Sequence, residues 1–253
     1  MMRPNRTETK PETVVTDEVN TDVRVDLPDW RSRILVIAPH ADDETIGLGG
    51  LISRYADRVA VRVVAVGNYN NRDGRRIYQH ERMKELGDAM DVLGVEDYAV
   101  LIDDNNAESR LDLRVSEIVK AVDFALKDLT PTAVLWAAPS HHQDHRAVDR
   151  AVIASLRNYT PFGSGILLAA RYTYAFHAAP HCPGPPQGAP RFLFGISEEE
   201  MRRKADALVQ YRSQFPNGMG DDLLGFYMRY CADMGFNLNP GAEVLWPAFG
   251  ELF

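Results

Sequence analysis

The stretch Ile34-Leu35-Val36-Ile37-Ala38-Pro39-His40-Ala41-Asp42-Asp43-Glu44 decides how the chain is read. Its first five residues are continuously apolar, and Pro39 ends the run because it cannot donate to a strand ladder. So short an apolar segment, closed by a turn signal, reads as a strand covered on both faces, as in a parallel sheet. Residues 45–55 then take helical spacing. The polar string 40–44 therefore stands at a strand-to-helix junction. In open α/β sheets, binding sites form there, outside the carboxyl ends of the strands.

The same alternation continues outward. Residues 59–66 read as a second buried strand and 68–74 as a polar loop. Residues 78–93 have helical spacing and stop at Gly94, a C-terminal signal. A short strand at 98–102 and a helix at 114–129 follow. Residues 133–138 are a further apolar strand, ended by Pro139, and residues 145–156 a helix. Strands alternating with helices imply βαβ units around a mostly parallel sheet, with right-handed crossovers placing helices on both faces. Beyond residue 160 the pattern loosens. A strand is expected at 166–174, a Pro/Gly-rich loop at 178–190, and a helix opened by the capping pair Ser197 and Glu200 and running to about residue 211. A turn at 216–220 and a helix at 223–234 complete the reading. Residues 1–28 are polar and expected to be a disordered tail, with Val23 and Val25 able to add an edge strand. Residues 29–253 are expected to form one α/β domain.

Composition excludes several classes. A net charge of −8 argues against a nucleic-acid binder, which usually shows a basic face. No apolar run approaches the roughly 20 residues of a membrane span. The N-terminus lacks the apolar core of a secretory signal, and two cysteines make no disulfide framework. The expectation is a soluble, cytoplasmic protein.

A second polar string, Ser140-His141-His142-Gln143-Asp144-His145, also follows an apolar strand. Should the two strands be neighbours, both strings face one crevice. His40 and Asp43 are three residues apart, a spacing that can direct both side chains the same way at the start of a helix. Catalytic zinc takes about three nitrogen and oxygen ligands from protein plus water. His40, Asp43 and His145 form such a set. Taken singly, Asp42, Asp43 or Asp144 reads as a helix N-cap or a solvated charge. The pairing of two strings favours chemistry, since four of the seven histidines lie in them.

These residues resemble the PIG-L/LmbE-like de-N-acetylases, whose motifs His-x-Asp-Asp-Glu and His-x-Asp-His match His40 to Glu44 and His142 to His145. Ala41 and Gln143 stand where the family often has proline. Gly47 to Gly50, Arg82 to Gly94, Lys204 with Tyr211, Ser213 and Gln214, and Ala242-Glu243 extend the likeness. The family's Thr-Asp-Gly-like turn is replaced by Gly67-Asn68-Tyr69-Asn70. The resemblance implies a Rossmann-like fold and a divalent metal, usually Zn2+, held by His40, Asp43 and His145. Iron, cobalt or manganese also suit such ligands. It implies Asp42 as general base, and His142 as acid or oxyanion stabiliser oriented by Asp144. Arg82 and, further out, Asp103 or Asp104 are implied substrate contacts.

The implied reaction is removal of an N-acetyl group from an N-acetylglucosaminyl-type sugar or glycoconjugate. A non-ligand carboxylate such as Asp42 is free to take a proton from water. Asp144 is expected to raise the pKa of His142 by opposite charge. Competing readings are an amidase for a larger acyl group, a catalytically inactive carbohydrate-binding relative, and a metal-free nucleotide binder. The glycine string after Glu44 lacks both the P-loop lysine and the G-x-G-x-x-G order, so helix packing accounts for it better. His80 is expected on a helix surface and His141 as a spectator. His177 is a candidate for the pocket wall, and His181 and Cys182 read as parts of a structural loop.

Overall fold

The computed structural model describes residues 22–24, 33–70, 74–103, 110–159, 168–173, 191–214 and 241–248. In chain order the elements are β1 (Asp22–Arg24), β2 (Ile34–Ala38), α1 (Asp43–Arg54), β3 (Val59–Val63), β4 (Tyr69–Asn70), β5 (Arg76–Ile77) and α2 (Gln79–Leu93). They continue with β6 (Asp97–Val100), α3 (Val115–Leu129), β7 (Ala133–Ala137), α4 (Gln143–Tyr159), β8 (Leu168–Thr173), β9 (Arg191–Ile196), α5 (Glu198–Leu208) and β10 (Gly241–Pro247).

Eight of these strands form one sheet in the order β1-β9-β10-β8-β7-β2-β3-β6. β10 runs antiparallel to both β8 and β9, and every other pairing is parallel. The central strand β2 is buried along its whole length, with a period of two. Ile34, Val36 and Ala38 face the core shared with α1, α2 and α5. Leu35 and Ile37 face the core shared with α3 and α4. Both faces of the sheet are thus covered, which is why β2 and β7 read as unbroken apolar runs and β3 is interrupted by Arg62 alone.

The topology fixes where a site can form. From β2 the chain steps outward through β3 to β6, then returns to the other side of β2 as β7. α1 leaves β2 towards one face and α4 leaves β7 towards the other. Between them lies the point where strand order reverses, the place where open α/β sheets bind ligands.

The glycines of α1 permit close approach rather than phosphate binding. A Cβ at Gly47 would fall 2.2 Å from the Tyr172 ring, and one at Gly49 2.7 Å from Lys204 Cγ. α1 is kinked at Leu48 (φ −136°, ψ 17°). Just past the kink, the N–H groups of Gly50 and Leu51 donate to the Glu243 carboxylate at 2.8 and 2.9 Å. Lys204 Nζ on α5 donates to the same carboxylate at 2.7 Å, and both side chains are buried. One ion pair therefore joins α1, α5 and β10.

The two-residue ladder of Tyr69–Asn70 with Arg76–Ile77 departs from the plain loop expected at 68–74. β9 and β10 were not anticipated. Asp22–Arg24 pairs parallel with β9 at the sheet edge. The expected loop at 178–190, the turn at 216–220 and the helix at 223–234 lie outside the described residues, as do Asp104, His177, His181 and Cys182. Among the described residues no helix is long and apolar enough to cross a membrane.

Removing one partner of a buried ion pair leaves an uncompensated charge. Glu243→Ala should therefore destabilise the fold by about 3–5 kcal/mol in urea unfolding. A change below about 1 kcal/mol would remove the pair from the account of how α1 is seated.

Candidate metal centre and cleft

The two polar strings meet because β2 and β7 are hydrogen-bonded parallel neighbours, with Ile37 opposite Trp136. Past the ends of both strands, His40, Asp43 and His145 each offer a donor atom within 4.8 Å of the others. Asp43 is the hub. Its Oδ2 lies 3.4 Å from His40 Nδ1 and 3.3 Å from His145 Nε2, and it accepts the His40 backbone N–H at 3.1 Å. Tetrahedral ligands at zinc bond lengths sit about 3.3 Å apart. The carboxylate stands at that spacing from each imidazole, and the two imidazoles offer nitrogens within 4.8 Å of each other, so the set suits a catalytic zinc ion, three protein donors leaving a position for water.

Asp144 occupies a different place from the one expected. Its Oδ2 accepts from His40 Nε2 at 3.0 Å, while His142 Nδ1 is 3.9 Å away. Oδ1 accepts the Leu111 N–H at 3.1 Å. A carboxylate on the far nitrogen of a ligand histidine fixes its tautomer and ring orientation. Asp144 therefore presents Nδ1 of His40 to the hub. His40, His142 and Asp144 also place donors within 4.8 Å of one another, and this second triad shares His40.

The electrostatics follow from this packing. Burial works against charging His40, but Asp144 and Asp43 hold its pKa up at about 9. Burial likewise opposes ionisation of Asp43, and the His145 and His40 imidazoles overcome it, holding the carboxyl well below its ordinary value. His142 moves opposite to expectation. Burial and the neighbouring His40 and His145 lower its pKa, and these outweigh the attraction of Asp144. The Asp144 backbone N–H donates to His142 Nδ1 at 3.2 Å. His142 is therefore a neutral imidazole whose remaining donor is Nε2–H. Its loop is held by Ser140 Oγ, which accepts the His142 N–H at 3.0 Å, and by Arg146 on the Ser140 and His141 carbonyls.

Asp42 stands at the N-cap position of α1, yet its side chain makes no cap hydrogen bond. Its backbone is at φ 130°, ψ −32°. For a side chain bearing a Cβ, such a conformation costs on the order of 1–3 kcal/mol and persists only where the surroundings impose it. Burial and the adjacent Asp43 push the Asp42 carboxyl well above its ordinary pKa, against the pull of Arg82 and His40.

A cleft of about 460 Å³ opens on these groups, lined by His40, Asp42, Asp43, His142 and Asp144. Its far wall is Gly67 to Asn70, Arg82, Gln143 and Gln214. Arg82 is buried, donates to the Gly67 carbonyl at 3.3 Å and lies over the Tyr69 ring. With its amide in the orientation that satisfies both ends, Gln214 accepts from Arg82 Nε at 3.0 Å and Nη2 at 3.2 Å. Arg82 is thus placed at the cleft. Asp103 is not among the lining residues; it is exposed and accepts from Gln79 Nε2 at 3.2 Å. His80 is exposed and stacks on Tyr78, as a surface residue does.

Two polar residues without an assigned role complete the centre. Glu44 is wholly buried and Tyr211 almost so. The Tyr211 hydroxyl donates to Glu44 Oε1, as does Thr45 Oγ1 at 2.7 Å, while Glu44 Oε2 accepts the Asp42 N–H at 3.2 Å. Glu44 stands in the first polar string. Its burial was not legible there, because its partner lies 167 residues away in sequence.

Below about pH 9 the Nδ1 proton of His40 competes with a metal, and above it the competition ends. Apparent Zn2+ affinity should rise about tenfold per pH unit from pH 7 towards 9 and then level. Calorimetry at pH 7 in buffers of different protonation enthalpy should show about one proton released per ion bound. Uptake without proton release would contradict this assignment of His40.

The family model described as "PIG-L: GlcNAc-PI de-N-acetylase" matches residues 35–156. A probable N-acetyl-alpha-D-glucosaminyl L-malate deacetylase 2 of Bacillus cereus is 26% identical over 193 residues, covering 72% of this chain and 83% of its own. The fold matches the crystal structure of the A40926 pseudoaglycone deacetylase Dbv21, with a TM-score of 0.68, 20% identity, and coverage of 86% of this chain and 97% of that one. It also matches N,N'-diacetylchitobiose deacetylase from Pyrococcus horikoshii, with a TM-score of 0.64, 22% identity, and coverage of 85% and 82%. Residues 35–156, the stretch that matches the PIG-L family model, carry both polar strings and the whole candidate metal centre.

Proposed function

We propose that this chain is a metal-dependent hydrolase that removes the N-acetyl group from an N-acetylglucosaminyl-type amino sugar, releasing acetate and the free amine. One observation carries the reading. Beside a three-donor set suited to a catalytic cation stands a carboxylate, Asp42, outside that set and held at the cleft by a strained backbone. A protein that only binds sugar has no use for such a base. The sugar deacetylase activities of the relatives point the same way.

His40, Asp43 and His145 are the proposed metal ligands, and Zn2+ the proposed ion. When bound, such an ion polarises a carbonyl and lowers the pKa of water from about 15.7 towards about 7. Asp42 then takes the proton from the attacking water. Its raised pKa strengthens it as a base and lets it return that proton to the departing amine. His142 acts as a neutral donor through Nε2–H, stabilising the oxyanion by a hydrogen bond rather than by full charge. Asp144 works through His40, orienting a ligand. Arg82 is the proposed sugar contact. Its guanidinium is braced by Gly67 and Gln214, and the neutral wall of Asn68, Tyr69 and Asn70 suits an uncharged sugar. Asp103, two contacts from the cleft through Gln79 and Asn68, is not kept as a substrate residue. The proposed setting is cytoplasmic, in keeping with only two cysteines.

Acetate release from N-acetylated sugars of varied aglycone, with Zn2+ supplied, tests the activity. Turnover confined to substrates with larger acyl groups would favour the amidase reading. Asp42→Asn should keep its metal and lose about 10²–10⁴-fold in kcat. His40→Ala should lose both metal and turnover. Full activity of Asp42→Asn would sink the assignment of the base.

A further inference from the structure

We infer that Glu44 and Tyr211 form a buried clamp that holds Asp42 in its reactive pose, making Tyr211 a positioning residue supplied from beyond the PIG-L-matched segment. The inference rests on the proposed hydrolase reading for its kinetic test, though not for its geometry.

The backbone of Asp42 occupies a region that residues with a Cβ avoid, so something must hold it. Two hydrogen bonds anchor it. Its carbonyl accepts the Ile46 N–H at 2.9 Å, beginning α1, and its N–H donates to Glu44 Oε2 at 3.2 Å. The second depends on where the Glu44 carboxylate sits. That carboxylate has no solvent exposure, so protein donors alone fix it. Thr45 belongs to α1, as Glu44 does, and cannot set the helix against the rest of the fold. Tyr211 can, because it follows α5 and its ring is buried in the core under α1. Its hydroxyl is thus the long-range contact that places the Glu44 carboxylate and, through it, the Asp42 backbone.

The same short segment braces the cleft wall. The Ser213 carbonyl accepts from the Tyr69 hydroxyl at 2.6 Å, and Ser213 N–H and Oγ donate to Glu85 at 2.7 and 2.6 Å. Gln214 accepts from Arg82. Residues 211–214 therefore tie the base and the substrate wall to one piece of chain. A shift of about 1 Å in a reacting group can cost on the order of a hundredfold in rate, so a small relaxation of Asp42 suffices for a large kinetic effect.

The test is a double-mutant cycle on the full-length, Zn2+-loaded protein, with an N-acetylated sugar as substrate. Tyr211→Phe should keep its metal content and its KM within about twofold while kcat falls about 10–100-fold. In the Asp42→Asn background the same substitution should change residual turnover by less than about twofold, because the group it positions is gone. A merely structural tyrosine would cost the same factor in both backgrounds, and that result, or an unchanged kcat in the first, overturns the inference. If Tyr211→Phe does not fold, Glu44→Gln, which sets an amide in place of the carboxylate that joins the Tyr211 hydroxyl to the Asp42 N–H, is put through the same cycle with the same criteria. If the wild-type protein turns over no N-acylated sugar, the hydrolase reading fails on its own. The clamp is then judged from the crystal structure of Tyr211→Phe. Relaxation of Asp42 to negative φ supports it, and an Asp42 still near φ 130° overturns it.

Discussion

The site depends on one shared oxygen. Asp43 Oδ2 lies between His40 and His145, which reach it from the ends of two adjacent parallel strands. Without a cation, this carboxylate draws the two imidazoles together. The same three side chains are the proposed donors to a cation. The arrangement is possible because β2 and β7 are neighbours at the point where strand order reverses, so α1 and α4 diverge to opposite sides of the sheet. The fold keeps that crevice open by sending its helices elsewhere.

A second constraint lies underneath. The polar groups in the first turn of α1 and the backbone at its kink are buried, and each needs a partner within the protein. The Glu44 carboxylate is met by Thr45, Tyr211 and the Asp42 N–H. The Glu243 carboxylate is met by Lys204 and by the backbone at the helix kink. Both networks reach α1 from the C-terminal part of the chain. The segment bearing two of the three proposed metal ligands, His40 and Asp43, thus relies for its alignment on residues far away in sequence. Networks of this kind specify one arrangement because a half-satisfied alternative is costly.

What the sequence made legible was local. The apolar runs of β2 and β7 are short and end at Pro39 and Pro139, and polar strings follow immediately. Those signals placed His40, Asp43 and His145 over the same sheet edge, and the glycines of α1 read correctly as packing. Partnerships across the fold left no such trace. Asp144 stands beside His142 in sequence and so reads as its orienter. From the first turn of α4 its carboxylate instead meets His40, at 3.0 Å, with His142 Nδ1 3.9 Å away. The same proximity suggested a raised pKa for His142, whereas burial and two neighbouring imidazoles lower it. β9 and β10 lie among segments without helix–strand alternation, and Tyr211 gave no local sign that it would meet Glu44.

The central claim is that these three side chains share one cation. Anomalous diffraction at the zinc edge, from crystals of the protein grown with stoichiometric Zn2+, tests it most directly. The account predicts a single peak about 2.0–2.2 Å from a nitrogen of His40, a nitrogen of His145 and an oxygen of Asp43. A fully loaded crystal with its zinc bound elsewhere, and none between those side chains, would contradict it.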